Sequence, residues 1–124
     1  MTRKEEREIL FQNVFEFLFS RERKNLDIEF IKNIYEKVCD NFDEIETMLK
    51  SALKDFSYSQ IFKADLAILM TATAEIKFEM TPTAVAINEA LEIAKKYSTE
   101  KSPAFINGVL SSLVKTLGDD NEAN

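Results

Sequence analysis

A chain of 124 residues with 45% apolar content is long enough for one domain with a real core and too short for two independent ones. The net charge of −6 argues against non-specific nucleic-acid affinity, and the absence of histidine removes the commonest general base. The single cysteine, Cys39, allows no internal disulfide and no zinc site of its own, and fits a reducing cytoplasm. Two glycines and two prolines leave room for few turns, so helices should dominate. No apolar run approaches the roughly 18 residues of a membrane span. The start, MTRKEEREILF, is charged and lacks a signal-peptide pattern.

The spacing predicts a first helix from Thr2 to about Phe19. Thr2 with Glu5 makes a capping box. Ile9, Leu10, Val14, Phe17 and Leu18 form one apolar face, and Phe11, Phe15 and Phe19 add a second. Arg3, Arg7, Phe11 and Phe15 recur every fourth residue, a stripe basic at one end and aromatic at the other. Such a stripe could hold phosphates and stack on bases, or could be core Phe beside solvated Arg. Residues 1–32 hold seven basic and seven acidic groups, and the remaining chain carries the whole negative excess. The first third is therefore the better candidate for an RNA contact.

Ser20 to Leu26 is a polar, basic connection. Asp27 can cap a second helix to about Cys39, where the thiol serves as a small apolar filler. Asp43 with Glu46 suggests a capping box for a third helix to about Phe56. Ser57-Tyr58-Ser59 is a break, and Ser59 can cap a fourth helix to about Lys77. Its stripe is Ile61, Ala64, Ile68, Leu69, Ala72 and Ile76.

Thr81 and Pro82 open a fifth helix, with Val85, Ala86, Ala90, Ile93, Ala94 and Tyr97 on one stripe. Ser102 and Pro103 open a sixth, which Gly118 can end in a left-handed conformation. The last residues, 119–124, are acidic and expected to be a disordered tail. Asn88 and Glu89 sit in mid-helix beside the apolar stripe. Asn107 and Gly108 do the same, and Gly there costs roughly 1 kcal/mol against Ala. Asn88, Glu89, Asn107 and Gly108 are therefore expected to be structural polar and close-approach positions. The carboxylates have no catalytic spacing, and no phosphate loop or metal-ligand pattern occurs, so neither an enzyme nor a cofactor is indicated.

VAINEALEIAKKY, followed after a short gap by FINGVL, resembles the C-terminal signature of the NusB family of bacterial transcription antitermination factors. Arg7-Glu8 followed by Gln12 and Phe15 resembles the family's N-terminal motif. Asp65-Leu66-Ala67-Ile68-Leu69, with Ala72 and Glu75, resembles a third family segment. The resemblance implies an all-α, NusB-like fold of about six or seven helices in two small packed bundles. These would be residues 1–56 and 57–118 of a single domain. It further implies a cytoplasmic, non-enzymatic factor that pairs with NusE, a small-subunit ribosomal protein. The pair would bind the boxA element of ribosomal RNA leaders within the transcription elongation complex.

Carried over by position, the RNA face would include Arg3, Lys4, Arg7, Phe15, Asp65 and Ser111. Family members are monomers or dimers, so self-association stays open. Several departures dilute the phosphate-binding set: Glu5 and Glu6 among the N-terminal basic residues, Leu66 and Met70 where the family often has Arg, and Phe15 for Tyr. These imply weak RNA binding alone and dependence on a basic partner. The alternative is a helical protein-interaction module on the same fold that has lost RNA binding.

Overall fold

A computed structural model describes residues 1–118 in full and carries the backbone of the last helix to Ala123. The tail expected at 119–124 lies outside the fully described residues. The helices are α1 Arg3–Ser20, α2 Glu29–Asp40, α3 Phe42–Ala52, α4 Lys63–Lys77, α5 Thr83–Tyr97 and α6 Ser102–Ala123. One 3-10 turn lies at Tyr58–Gln60, and no strand occurs among the described residues. The all-α expectation is met.

The arrangement is built around α4. Every residue from Asp65 to Ile76 is buried, and α4 touches each of the other five helices. A helix buried over its whole circumference is a core helix. The sequence suggested one stripe, but the structure also buries Leu66, Met70 and Thr73. Small residues make this feasible, since Ala67, Ala72 and Ala74 let neighbours approach from several sides. The Thr73 hydroxyl is buried with no hydrogen-bond partner among the described residues.

α1 lies against α4 and α2. Leu10, Phe11, Val14 and Phe17 are buried, and the Phe17 ring meets Tyr35 at 6.2 Å and Phe42 at 5.8 Å, both edge-on. One aromatic side chain thus joins the first three helices. α1 ends at Arg21, which takes a left-handed conformation with φ 59°. That geometry disfavours a non-glycine residue by roughly 1–2 kcal/mol. Its guanidinium lies 3.8 Å from the centre of the Phe42 ring, a cation–π contact that offsets part of the cost.

The capping box of Thr2 and Glu5 forms, with both reciprocal bonds at 3.1 Å. Other expected caps do not. Ile28, Asn41 and Phe62 occupy the cap positions of α2, α3 and α4, none with a side-chain bond. α3 stops at Ala52 rather than Phe56, because Leu53 is already extended. Pro82, not Thr81, precedes α5, and the Thr81 hydroxyl is engaged elsewhere. Gly118 has no positive φ, so it continues α6 instead of ending it. Phe19, Val85 and Tyr97, all read as part of apolar stripes, are exposed, as is Phe56.

Gly108 also departs from expectation. A methyl group added there would meet nothing within 4 Å, so no neighbouring backbone explains the glycine. It is an exposed helix-interior residue. Gly108→Ala should therefore raise stability by about 1 kcal/mol in urea unfolding, whereas a tight crossing would make the change destabilising.

Candidate nucleic-acid interface

The first turn of α1 presents Arg3 and Lys4 to solvent. The Arg3 guanidinium is held 2.8 Å from Glu6 and 3.9 Å from the centre of the Phe30 ring. Lys4 borders an open cleft shared with Glu8, Glu89, Glu92, Lys95 and Lys96. The Thr2 backbone N–H holds the Glu5 carboxyl below its ordinary range, so this turn carries negative charge beside its cations.

Arg7 does not share that exposure. Its guanidinium donates to Glu75 at 2.7 Å, and the two side chains are 8% and 2% exposed. Thr81 donates to the same carboxylate oxygen at 2.7 Å. The expectation of a free phosphate ligand at Arg7 is thus corrected. A buried carboxylate on α4 needs a counter-charge more than a surface phosphate does.

Asp65 is corrected for a similar reason. It is 4% exposed and accepts from the Ser98 and Ser102 hydroxyls. Ser102 also accepts from the Thr99 backbone N–H at 3.1 Å. The carboxylate therefore ties the first turn of α4 to the α5–α6 connection, where it also complements the helix dipole. Ser111 is exposed on α6, nine residues beyond Ser102, or about 13 Å along the helix. The structure does not bring Asp65 and Ser111 to one surface.

Phe15 is half-buried in a row of rings. Tyr97 lies 5.3 Å from Phe11, Phe11 lies 6.2 Å from Phe15, and Phe15 lies 5.2 Å from Phe19. Glu8 fastens the row to α5, accepting from Lys96 and from the Tyr97 hydroxyl, each at 2.8 Å. These two donors hold the Glu8 carboxyl below its ordinary range, and the same contact raises Lys96. Sequence reasoning missed Lys96 and Tyr97, because a pairing across 88 residues leaves no periodic trace.

Asn88 and Asn107 are exposed, and neither makes a side-chain hydrogen bond among the described residues. The expected buried helix-to-helix amide bonds are therefore absent, since both residues fall on the solvent side of their helices. Glu89 is half-buried and lines a cavity of about 20 Å³ with Arg7, Phe11, Thr71 and Glu75. That space is comparable to one water molecule and excludes a small-molecule substrate. Burial pushes the Cys39 thiol upward, consistent with a filler role. Among the described residues no cluster of metal-ligating groups occurs, and no helix is long and apolar enough to cross a membrane.

The fold is all-helical, with exposed cations and aromatic edges along α1. The family model described as "NusB family" matches residues 1–115, and the chain belongs to the NusB family. The transcription antitermination protein NusB of Clostridium botulinum strain Kyoto is 46% identical over 92 residues. That match covers 73% of this chain and only 64% of the length of the relative. The solved NusB of T. maritima is 29% identical with a TM-score of 0.82, covering 93% of this chain and 92% of that one. A solved complex of antitermination factors NusB and NusE with dsRNA contains a chain of the same fold. There the TM-score is 0.80 at 23% identity, over 92% of this chain and 96% of that one.

Arg7→Ala should destabilise the protein by about 3–5 kcal/mol, because it strands the Glu75 charge. The double replacement Arg7→Met with Glu75→Leu should recover most of that loss in urea unfolding. A mild effect of Arg7→Ala alone would show that the pair is solvated.

Glu8 ionises more readily in the folded than in the unfolded chain. Its contribution is therefore complete above its unfolded value, about 4.3, and disappears as pH falls through the lower folded value. The stability gap between wild type and Glu8→Gln should be open at about pH 7 and closed at about pH 2.

Proposed function

We propose that this protein is a transcription antitermination factor that binds boxA RNA of ribosomal RNA leaders together with NusE. The observation that carries the reading is the edge of α1, where exposed Arg3 and Lys4 share one helix with the aromatic edge of Phe15. Cations there would hold phosphates while the ring offers a face to a base. Membership of the NusB family supports it, and a NusB of the same fold carries NusE and double-stranded RNA. The role is that of a binding protein acting in an elongation complex, with no reaction of its own.

With Arg7 committed to Glu75, fewer free cations face solvent than the N-terminal sequence contains. A net charge of −6 opposes RNA at long range and suits a basic protein partner. The second reading, an interaction module without RNA binding, draws on the same observation, since Glu6 already neutralises Arg3.

Fluorescence anisotropy of a boxA RNA, with and without NusE and at two salt concentrations, separates the two. RNA binding should be weak alone and tight with NusE. Arg3→Ala and Lys4→Ala should each weaken it and lower the salt slope by about 1. NusE binding with no RNA complex at either salt would leave the interaction module.

A further inference from the structure

The ring row on α1 does not stop at Phe15. It runs on to Phe19, which is 62% exposed, and from there to the connection between α1 and α2. Phe15, Phe19, Ser20, Arg23 and Lys24 line one open cleft with Glu16 and Glu22. The cleft lies at the far end of α1 from Arg3, with Phe19 more than four helical turns away. Of its lining, the contact proposed above uses Phe15 alone.

The connection is fixed rather than loose. Lys24 donates its backbone N–H to the hydroxyl of buried Tyr35 at 3.1 Å, and Arg21 lies over the Phe42 ring. Two cations are thereby held beside an exposed ring on a rigid frame. Each already has an acidic neighbour: Lys24 pairs with Glu16, and Arg23 with Asp40. Exposed pairs of this kind contribute little to stability, so a phosphate can displace the carboxylate at small cost. An unpaired base has a flat apolar face and an adjoining phosphate. That combination matches an exposed ring with a cation beside it.

We infer that Phe19, with Lys24 and Arg23, forms a second RNA station that stacks an unpaired base of single-stranded RNA while a phosphate replaces Glu16 on Lys24. Single-stranded RNA would then follow α1 from Arg3 past Phe15 to Phe19. The inference rests on the RNA-binding reading above and extends it from Phe15 to Phe19, Arg23 and Lys24, which that reading does not need.

The test uses the full chain with NusE, a labelled boxA single strand and the same sequence closed into a duplex. Phe19→Ala should weaken the single strand about tenfold without changing the salt slope, and Phe19→Leu should fail to restore it. Lys24→Ala should weaken binding and lower the salt slope by about 1. Glu16→Gln should strengthen binding, because it frees Lys24. A 2-aminopurine base in the strand should lose fluorescence on wild type and keep it on Phe19→Ala. The duplex should be insensitive to Phe19.

If Phe19→Ala and Lys24→Ala bind as wild type does while Arg3→Ala and Lys4→Ala lose affinity, the second station is refuted and the RNA reading stands. If wild type with NusE binds no RNA, both fall. If Phe19→Ala weakens NusE binding in the absence of RNA, the cleft docks protein and the inference is overturned. Since Phe19 is largely exposed, its replacement should leave the urea midpoint unchanged, which checks that each loss is local.

Discussion

Burial of α4 on every side is the constraint from which the rest of the structure follows. A helix with five helical neighbours cannot send its polar side chains to water. Asp65, Thr71 and Glu75 find partners inside, while the Thr73 hydroxyl has none among the described residues. Thr71 bonds back to the Ala67 carbonyl at 2.8 Å, while the two carboxylates draw in residues from elsewhere. Asp65 collects Ser98 and Ser102, which sets the turn between α5 and α6. Glu75 collects Arg7 and Thr81, which sets the position of α1 and the entry to α5. Two buried acids at opposite ends of one helix thus fix the placement of the helices around it. Such bonds add specificity of arrangement more than net stability.

The same constraint divides the basic residues of α1 by role. Arg7 turns inward because α4 presents an acid there, and Arg3 and Lys4 remain outside. An ion pair anchored in the core gives the outer residues a rigid base. Glu8, bonded to Lys96 and Tyr97, adds a surface tie between α1 and α5. The α1 edge is therefore pre-organised by contacts on both flanks, which would lower the ordering cost of the proposed strand binding.

Acidic residues accompany nearly every exposed cation of this edge: Glu6 with Arg3, Glu8 with Lys96, Glu16 with Lys24. These pairs moderate attraction to arbitrary polyanions and leave exchange with a well-placed phosphate feasible. Selectivity would then depend on geometry and on a partner, rather than on bulk charge.

The sequence by itself determined the all-helical class, the segments of most helices and the family. Helical periodicity and motif blocks are local patterns, and local patterns survive in one dimension. It also placed the Thr2–Glu5 capping box, since that box closes within one turn. Only the tertiary structure decided which of Arg3, Lys4 and Arg7 faces water, because that depends on Glu75, 68 residues away. It likewise showed that Asp65 is an internal tie, that Asn88, Asn107, Gly108 and Phe19 lie on the surface, and that Tyr97 joins the ring row of α1. Burial and charge pairing are set by which helices meet, and a single sequence does not carry that information in its spacing.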